Sequence, residues 1–158
     1  MIFITVGTQK FQFNRLLSEI DILIKEKLIT NNIYAQIGYS TYVPTNFSYS
    51  KLIDADKMDD LIRNSDLVIT HGGTSSIFHA LKYKKKIIVV PRLAKFNEHV
   101  DDHQLEICRV LESQNYIRVV YNIEDLKTEI LTINEKILDV YNNSSNSLIN
   151  EIKRYIGI

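Results

Sequence analysis

Short apolar segments alternate with longer segments of helical periodicity along this chain. The apolar segments hold four or five residues, are rich in β-branched side chains, and lie at 2–6, 33–37, 66–70, 87–90 and 116–120. Such segments, bounded by Gly, Asn or Pro, are typical of strands buried in a sheet. Between them, apolar residues recur at spacings of three and four, which predicts helices. Strands that alternate with helices predict an α/β fold with a doubly wound, mainly parallel, Rossmann-like sheet.

The weaker parts of the pattern give finer expectations. Residues 39–50 are rich in Ser, Thr, Tyr and Asn, so we expect a loop there and a short strand at 51–53. The whole chain, 1–158, is expected to form one domain. Its last amphipathic segment, a helix at about 146–157, either docks a partner or packs back on its own sheet. The other predicted helices begin at Asn14, at Asp56, at the hydroxyl residues Thr74, Ser75 and Ser76, near Val100, and at Asn122, the last one reaching Ile137.

Composition excludes several classes of protein. Nineteen basic and nineteen acidic residues cancel, so nothing favours a nucleic-acid partner. The single cysteine, Cys108, rules out an intramolecular disulfide and fits a reducing compartment. No apolar run approaches the roughly 20 residues of a membrane span, and no basic segment precedes the first strand as in a signal peptide. We therefore expect a cytoplasmic protein.

The candidate chemistry is concentrated between Asp66 and Gln104. The strand at 66–70 runs into His71-Gly72-Gly73 and then into a helix, so free backbone N–H groups lie at the positive end of a helix dipole. That arrangement suits a phosphate group. Gly7, Thr8 and Gln9 follow the first strand and should reach the same edge of the sheet. In both places the alternative is a plain tight turn that serves packing alone.

These residues carry a family resemblance. His71-Gly72-Gly73-Thr74-Ser75-Ser76, Val89-Val90-Pro91, the segment 98–104 and the opening segment 1–9 resemble the donor-binding half of family 28 glycosyltransferases. More narrowly, they resemble small bacterial capsule and exopolysaccharide proteins related to the Alg13 subunit. The resemblance implies one half of a GT-B transferase that binds a UDP-sugar. It also implies a separate, membrane-anchored, Alg14-like partner that brings a lipid-linked sugar acceptor to the inner face of the membrane, and possible self-association when that partner is absent.

The resemblance also implies roles for individual residues. The catalytic group stays unknown, with His71, Glu98 and His99 as candidates. The donor diphosphate is expected to meet backbone and side-chain donors at Gly7, Thr8, Gly72, Gly73, Thr74, Ser75 and Arg92. The nucleoside and sugar are expected to meet His79, Glu98, Asp101, Asp102, His103 and Gln104. The transferred sugar would be a hexose, most simply galactose from UDP-galactose, and the function would serve capsule or exopolysaccharide assembly.

Some features depart from the family pattern or admit other interpretations. His79 stands where the family commonly has an acidic residue for the ribose hydroxyls, so ribose recognition there is in doubt. His99 and His103 are four residues apart, a spacing that can bind zinc, but the glutamate of an HExxH motif is absent and the resembled transferases need no bound metal. The basic run 84–86 either complements a helix C-terminus or contacts anionic lipid.

Two rival functions remain open. The chain could be a non-catalytic, nucleotide-sugar-binding subunit that enhances a partner transferase. It could also be a stand-alone enzyme such as a sugar-nucleotide epimerase, although a single Rossmann-like half argues against that.

Overall fold

A computed structural model describes residues 1–142, 150 and 152–154. Its strands are β1 (Ile2–Thr5), β2 (Ile33–Gln36), β3 (Ser48–Ser50), β4 (Leu67–Thr70), β5 (Lys86–Val89) and β6 (Arg118–Val119). They form one sheet of six strands in the order β3-β2-β1-β4-β5-β6, and every neighbouring pair is parallel. The predicted doubly wound, Rossmann-like sheet is confirmed. Thr5 pairs with both Gln36 and Thr70, so the carboxyl ends of the three central strands are level.

Helices cover both faces of the sheet. They are α1 (Asn14–Lys25), α2 (Ala55–Asn64), α3 (Thr74–Lys82), α4 (Gln104–Ser113) and α5 (Leu126–Thr132), with short 3-10 turns at Ala94–Phe96, Ile123–Asp125 and Ile133–Glu135. Apolar side chains of α1 and α5 pack in one core cluster, and those of α2, α3 and α4 pack in the other. Strand residues alternate between the clusters, as the pleat requires: Ile2 and Ile4 face one and Phe3 the other.

The edge strand β3 corrects one expectation. It occupies Ser48–Ser50, inside the predicted loop, whereas 51–53 contains no strand. β3 pairs only with β2, and two of its three residues are exposed. A strand at an open edge needs few apolar residues, so the sequence carries no strand signal there.

Helix boundaries correct three more expectations. α3 begins after Gly73, with no side-chain hydrogen bond at its cap, so the hydroxyls of residues 74–76 are free of a capping role. Val100, 74% exposed, lies before α4, because Asn97 takes a left-handed conformation (φ 56°) and turns follow it. Ile137, 88% exposed, lies beyond the end of α5 at Thr132.

The terminal segment is described only in part. Ile152 is 6% exposed and packs in the same core cluster as Ile77 and Leu111, which is the packed-back arrangement. The rest of the predicted terminal helix, residues 143–149, 151 and 155–158, lies outside the described residues. Among the residues that are described, no helix has both the length and the apolar character that crossing a membrane requires.

Candidate functional site

A cavity of about 370 Å³ opens where the loops after β1 and β4 meet. This is the carboxyl edge of the sheet, where open α/β sheets bind their ligands. Four elements contribute to its walls: the end of β1, the end of β2, one face of α2, and the turn into α3. The lining residues are Thr5, Gly7, Thr8, Gln9, Gln36, Met58, Ile62, His71, Gly73, Thr74, Ser75, Ser76 and His79.

The start of α3 forms one wall of this cavity. Gly73 is the N-cap residue, and Thr74, Ser75 and Ser76 make up the first turn. The N–H groups of a first helical turn have no partner within the helix and lie at the positive end of its dipole. The cavity therefore offers backbone donors to a phosphate without any cationic side chain in its lining.

His71 lies between the two glycine loops. The residue is buried, with 7% of its surface exposed. A Cβ atom placed on Gly7 would come within 2.7 Å of the His71 ring, and one placed on Gly73 within 2.2 Å. Neither position can hold a larger residue unless the ring moves. Burial, together with the nearby Arg92 charge, lowers the pKa of His71 to about 4. The imidazole is therefore neutral at neutral pH and can donate one hydrogen bond, but it is a weak general base.

Gln104 supports the glycine turn through its side-chain amide oxygen. Its Oε1 accepts hydrogen bonds from the backbone N–H of Gly72 at 3.0 Å and of Arg92 at 3.1 Å, and the residue is 3% exposed. A Cβ atom on Gly72 would lie 2.7 Å from the Gln104 Cβ, so Gly72 serves this contact and does not line the cavity. Sugar binding by Gln104 stays a prediction, and only the amide nitrogen is available for it.

Arg92 has a structural position outside the cavity lining, and its contact with the diphosphate stays a prediction. The residue is fully buried, and its guanidinium donates to four backbone carbonyls instead of facing the cavity. These are the carbonyls of Val6 (2.5 Å), Phe11 (3.2 Å), Gln12 (3.0 Å) and Glu98 (3.1 Å). Its pKa is lowered to about 10 by burial, so the group remains cationic at neutral pH.

Glu98 and His99 are also buried behind the cavity. Glu98 is fully buried, and its carboxylate forms a bidentate pair with Arg15, with both N···O distances at 2.9 Å. It accepts a third bond from the Leu93 backbone at 3.0 Å. The His99 ring packs 5.5 Å from the Phe11 ring. Neither residue is in the cavity lining, so their roles as catalytic candidates, and that of Glu98 as a sugar ligand, stay predictions.

The remaining residues of the segment lie on an exposed turn outside the cavity lining. Asp101 contacts His103 through both the imidazole Nδ1 and the backbone N–H, and these contacts lower the pKa of Asp101. Asp102 accepts from the backbone N–H of Ala94 at 2.8 Å. Contact of Asp101, Asp102 and His103 with the donor sugar therefore stays a prediction.

Comparison with known proteins identifies the family. Residues 1–156 match the glycosyltransferase family 28 C-terminal domain. The chain belongs to this family. It is 34% identical over 124 residues to the human UDP-N-acetylglucosamine transferase subunit ALG13, and 34% identical over 104 residues to the Candida albicans subunit of the same name. Those alignments cover 73% and 66% of this chain, but only 10% and 32% of the relatives.

Solved structures agree on the fold of this family 28 domain. MurG from Acinetobacter baumannii superimposes with a TM-score of 0.57 at 19% identity, covering 82% of this chain and 40% of MurG. A kitacinnamycin glycosyltransferase superimposes with a TM-score of 0.58 at 14% identity, covering 99% of this chain and 38% of that enzyme. The chain thus has the fold of one part of these larger transferases.

The sequence predicted His79 as a site residue of this family 28 domain but missed its partner, Asp59. His79 lines the cavity, and its Nε2 lies 2.9 Å from Oδ1 of Asp59 on α2. Asp59 also accepts from Tyr83 at 2.6 Å and pairs with Arg63, and the bonds from Tyr83 and His79 lower its pKa to about 2. Gln36 was missed as well, although it ends a predicted strand at the binding edge, and that position was a usable signal.

Proposed function

We propose that this chain is the donor-binding, catalytic subunit of a two-component glycosyltransferase that uses a UDP-sugar. One observation carries the proposal: the cavity at the carboxyl edge joins the glycine turn and the first turn of α3 to the loop after β1. Backbone N–H groups of residues 73–76 would hold the diphosphate and stabilise its negative charge as it leaves.

His79 is proposed to bind the ribose. Its Nε2 is held by the Asp59 carboxylate, which leaves Nδ1 as an acceptor for a hydroxyl group. A histidine fixed by a carboxylate thus supplies the acceptor that an acidic residue supplies elsewhere in the family.

A partner is proposed because the described lining of the cavity contains no carboxylate that could act as a general base. Of its two imidazoles, neutral His71 is a weak base at neutral pH, and His79 is assigned to the ribose. Exposed apolar side chains around a second cavity, such as Val43 (61%) and Leu52 (53%), are suited to contact with another chain. The partner would be an Alg14-like, membrane-anchored subunit that brings a polyprenyl-diphosphate-linked sugar, and the family 28 chain would lie against the inner face of the membrane through it.

The donor sugar and pathway are proposed from two resemblances. Likeness to the bacterial capsule and exopolysaccharide proteins favours transfer of galactose from UDP-galactose, through a β-1,4 linkage, during polysaccharide assembly. The relatives named above carry UDP-N-acetylglucosamine in their names. UDP-galactose and UDP-N-acetylglucosamine both contain uridine diphosphate, so the nucleotide part of the site would serve either donor.

Calorimetric titration tests the donor site directly. The chain would be titrated with UDP, UDP-galactose, UDP-glucose, UDP-N-acetylglucosamine and ADP, and we expect selectivity for uridine. Gly73→Ala should abolish the signal, because its Cβ atom would lie 2.2 Å from His71. Thr128→Ala, at an exposed position of α5 outside the cavity lining, is the matched control. Equal UDP affinity in Gly73→Ala and the control would refute the site.

A second candidate function is a non-catalytic subunit that enhances a partner transferase. It is favoured by the same lack of a carboxylate in the lining. The test compares the partner alone, the pair, and the pair carrying Gly73→Ala. If this chain supplies the donor site, the partner alone is inactive and the variant pair is inactive too. If this chain only enhances, the partner alone transfers sugar and the variant pair keeps at least that activity.

A further inference from the structure

Two imidazoles and a carboxylate come together on the turn between β5 and α4. Nδ1 of His99 lies 3.3 Å from Oδ1 of Asp101, and Nδ1 of His103 contacts the same oxygen. One ligand atom from each of the three residues lies within 4.8 Å of the others. Within the part of the chain that the structure describes, this is the only such group of three.

We propose that His99, Asp101 and His103 bind a divalent transition-metal ion of the zinc class. Two imidazole nitrogens and one carboxylate oxygen are ligands that Zn²⁺ and Co²⁺ accept, whereas Mg²⁺ and Ca²⁺ prefer oxygen ligands throughout. Two bonds of about 2.0 Å at a tetrahedral angle place their donor atoms about 3.3 Å apart. The His99–Asp101 separation of 3.3 Å already has this value.

The cluster combines a fixed ligand with an open side. His99 is 9% exposed and packs against Phe11, and its Nδ1 accepts a long bond from the Asp101 backbone N–H at 3.4 Å. An ion bound at Nδ1 would take the place of that N–H. The side chains of Asp101 and His103 are 58% and 54% exposed, which gives an ion a path from solvent. A fourth coordination position is left for water, as in zinc sites with three protein ligands.

Charge and proton balance are consistent with binding. The positive end of α4 opposes a cation, and the Asp101 carboxylate offsets that field. When the ion binds at Nδ1 of His103, it takes the place of the contact between that nitrogen and the Asp101 carboxylate. The single proton of the neutral imidazole is then carried on Nε2, so the ring stays neutral. No oxidant or other reactant is required.

The bound ion would fix the turn that leads directly into Gln104. Since Gln104 braces Gly72 and Arg92, occupancy would stiffen the rear wall of the cavity. This role is structural, so it leaves untouched the expectation that sugar transfer needs no bound metal. The proposed ion site also stands whether or not the proposed transferase function is correct.

Titration with Co²⁺ tests the site, because tetrahedral Co²⁺ has an intense visible absorption. The chain must be purified without a histidine tag, and Zn²⁺ should displace Co²⁺ from the same site. His103→Ala and Asp101→Asn should each weaken binding by at least about tenfold, the effect that even outer-shell partners reach. Both residues are exposed, and asparagine keeps an acceptor for the His103 backbone N–H, so both variants should fold.

His79→Ala is the matched control. His79 also contacts a carboxylate, that of Asp59, but within the described residues no third His, Cys, Asp or Glu joins that pair to form a cation site. We expect this variant to bind Co²⁺ as the parent chain does. Absence of saturable binding, equal binding in His103→Ala, or an equal loss in His79→Ala would each overturn the proposal.

Discussion

Acid should destabilise the fold through His71 in particular. The residue is 7% exposed and enclosed by Gly7 and Gly73, so a proton cannot be taken up without placing a charge in a buried pocket. The Arg92 guanidinium adds repulsion, and both effects lower the pKa of His71. We therefore expect the free energy of unfolding to decrease as the pH is lowered.

The magnitude follows from the difference between two pKa values. The pKa of His71 is about 4 in the fold and 6.5 for the ordinary side chain. At 1.36 kcal/mol for each pKa unit, that difference amounts to about 3 kcal/mol. The unfolded chain binds the proton first, because its pKa is higher. The stabilisation is therefore complete above about pH 6.5, declines as the pH falls, and is lost below about pH 4.

The assay is urea denaturation at several pH values between about 7 and about 4, on the parent chain and on His71→Asn. Asparagine cannot titrate, and any cost of the smaller side chain is independent of pH. Carboxylates elsewhere titrate in both proteins, so the difference between the two curves isolates His71. A difference that stays constant across this pH range would refute the argument that His71 is buried in its neutral form.

Three other changes distinguish structural roles from ligand contacts. Arg92→Met should lower the free energy of unfolding by more than about 3 kcal/mol in urea denaturation, because several buried carbonyls lose their donor; a loss of UDP affinity with unchanged stability would show that the structural role is wrong. Gln104→Leu should cost about 2–5 kcal/mol, since the N–H groups of Gly72 and Arg92 lose their acceptor, and Gln104→Glu should cost less. Asp59→Asn should change stability little, because both side chains of the pair are partly open to solvent, but should weaken UDP binding in calorimetry by loosening the hold on His79. Unchanged UDP affinity would exclude that role.

The fold could be predicted largely because its central strands are buried on both faces. Strands such as β1 and β4 are continuous apolar runs, and their lengths and glycine ends are local signals. β3 could not be predicted in the same way, because its side chains are polar and carry no strand pattern. Its extended conformation comes from hydrogen bonding to β2. Sequence pattern thus shows burial more directly than it shows pairing.

The site was predictable where its chemistry is local. The glycine turn and the start of α3 adjoin each other in sequence, and the cavity contains both. The contact between Asp59 and His79 joins two helices across 20 residues. The sequence around either residue gives no sign that the two side chains meet. Such a contact depends on how α2 and α3 pack, which residue types alone do not specify.

Charged residues next to the binding edge have buried partners that the sequence does not reveal, and these partners also bear on function. An arginine or glutamate without a charged neighbour in the sequence is expected at the surface or in contact with a ligand. Here Glu98 pairs with Arg15, 83 residues away, and Arg92 donates to the carbonyl of Val6, 86 residues away. Loops at the carboxyl edge have few strand or helix partners for their carbonyls, and the Arg92 guanidinium supplies those partners. Two guanidinium groups against one carboxylate leave one positive charge behind the cavity. The same buried network therefore holds the loops in place before a donor binds and favours the anionic diphosphate once it does.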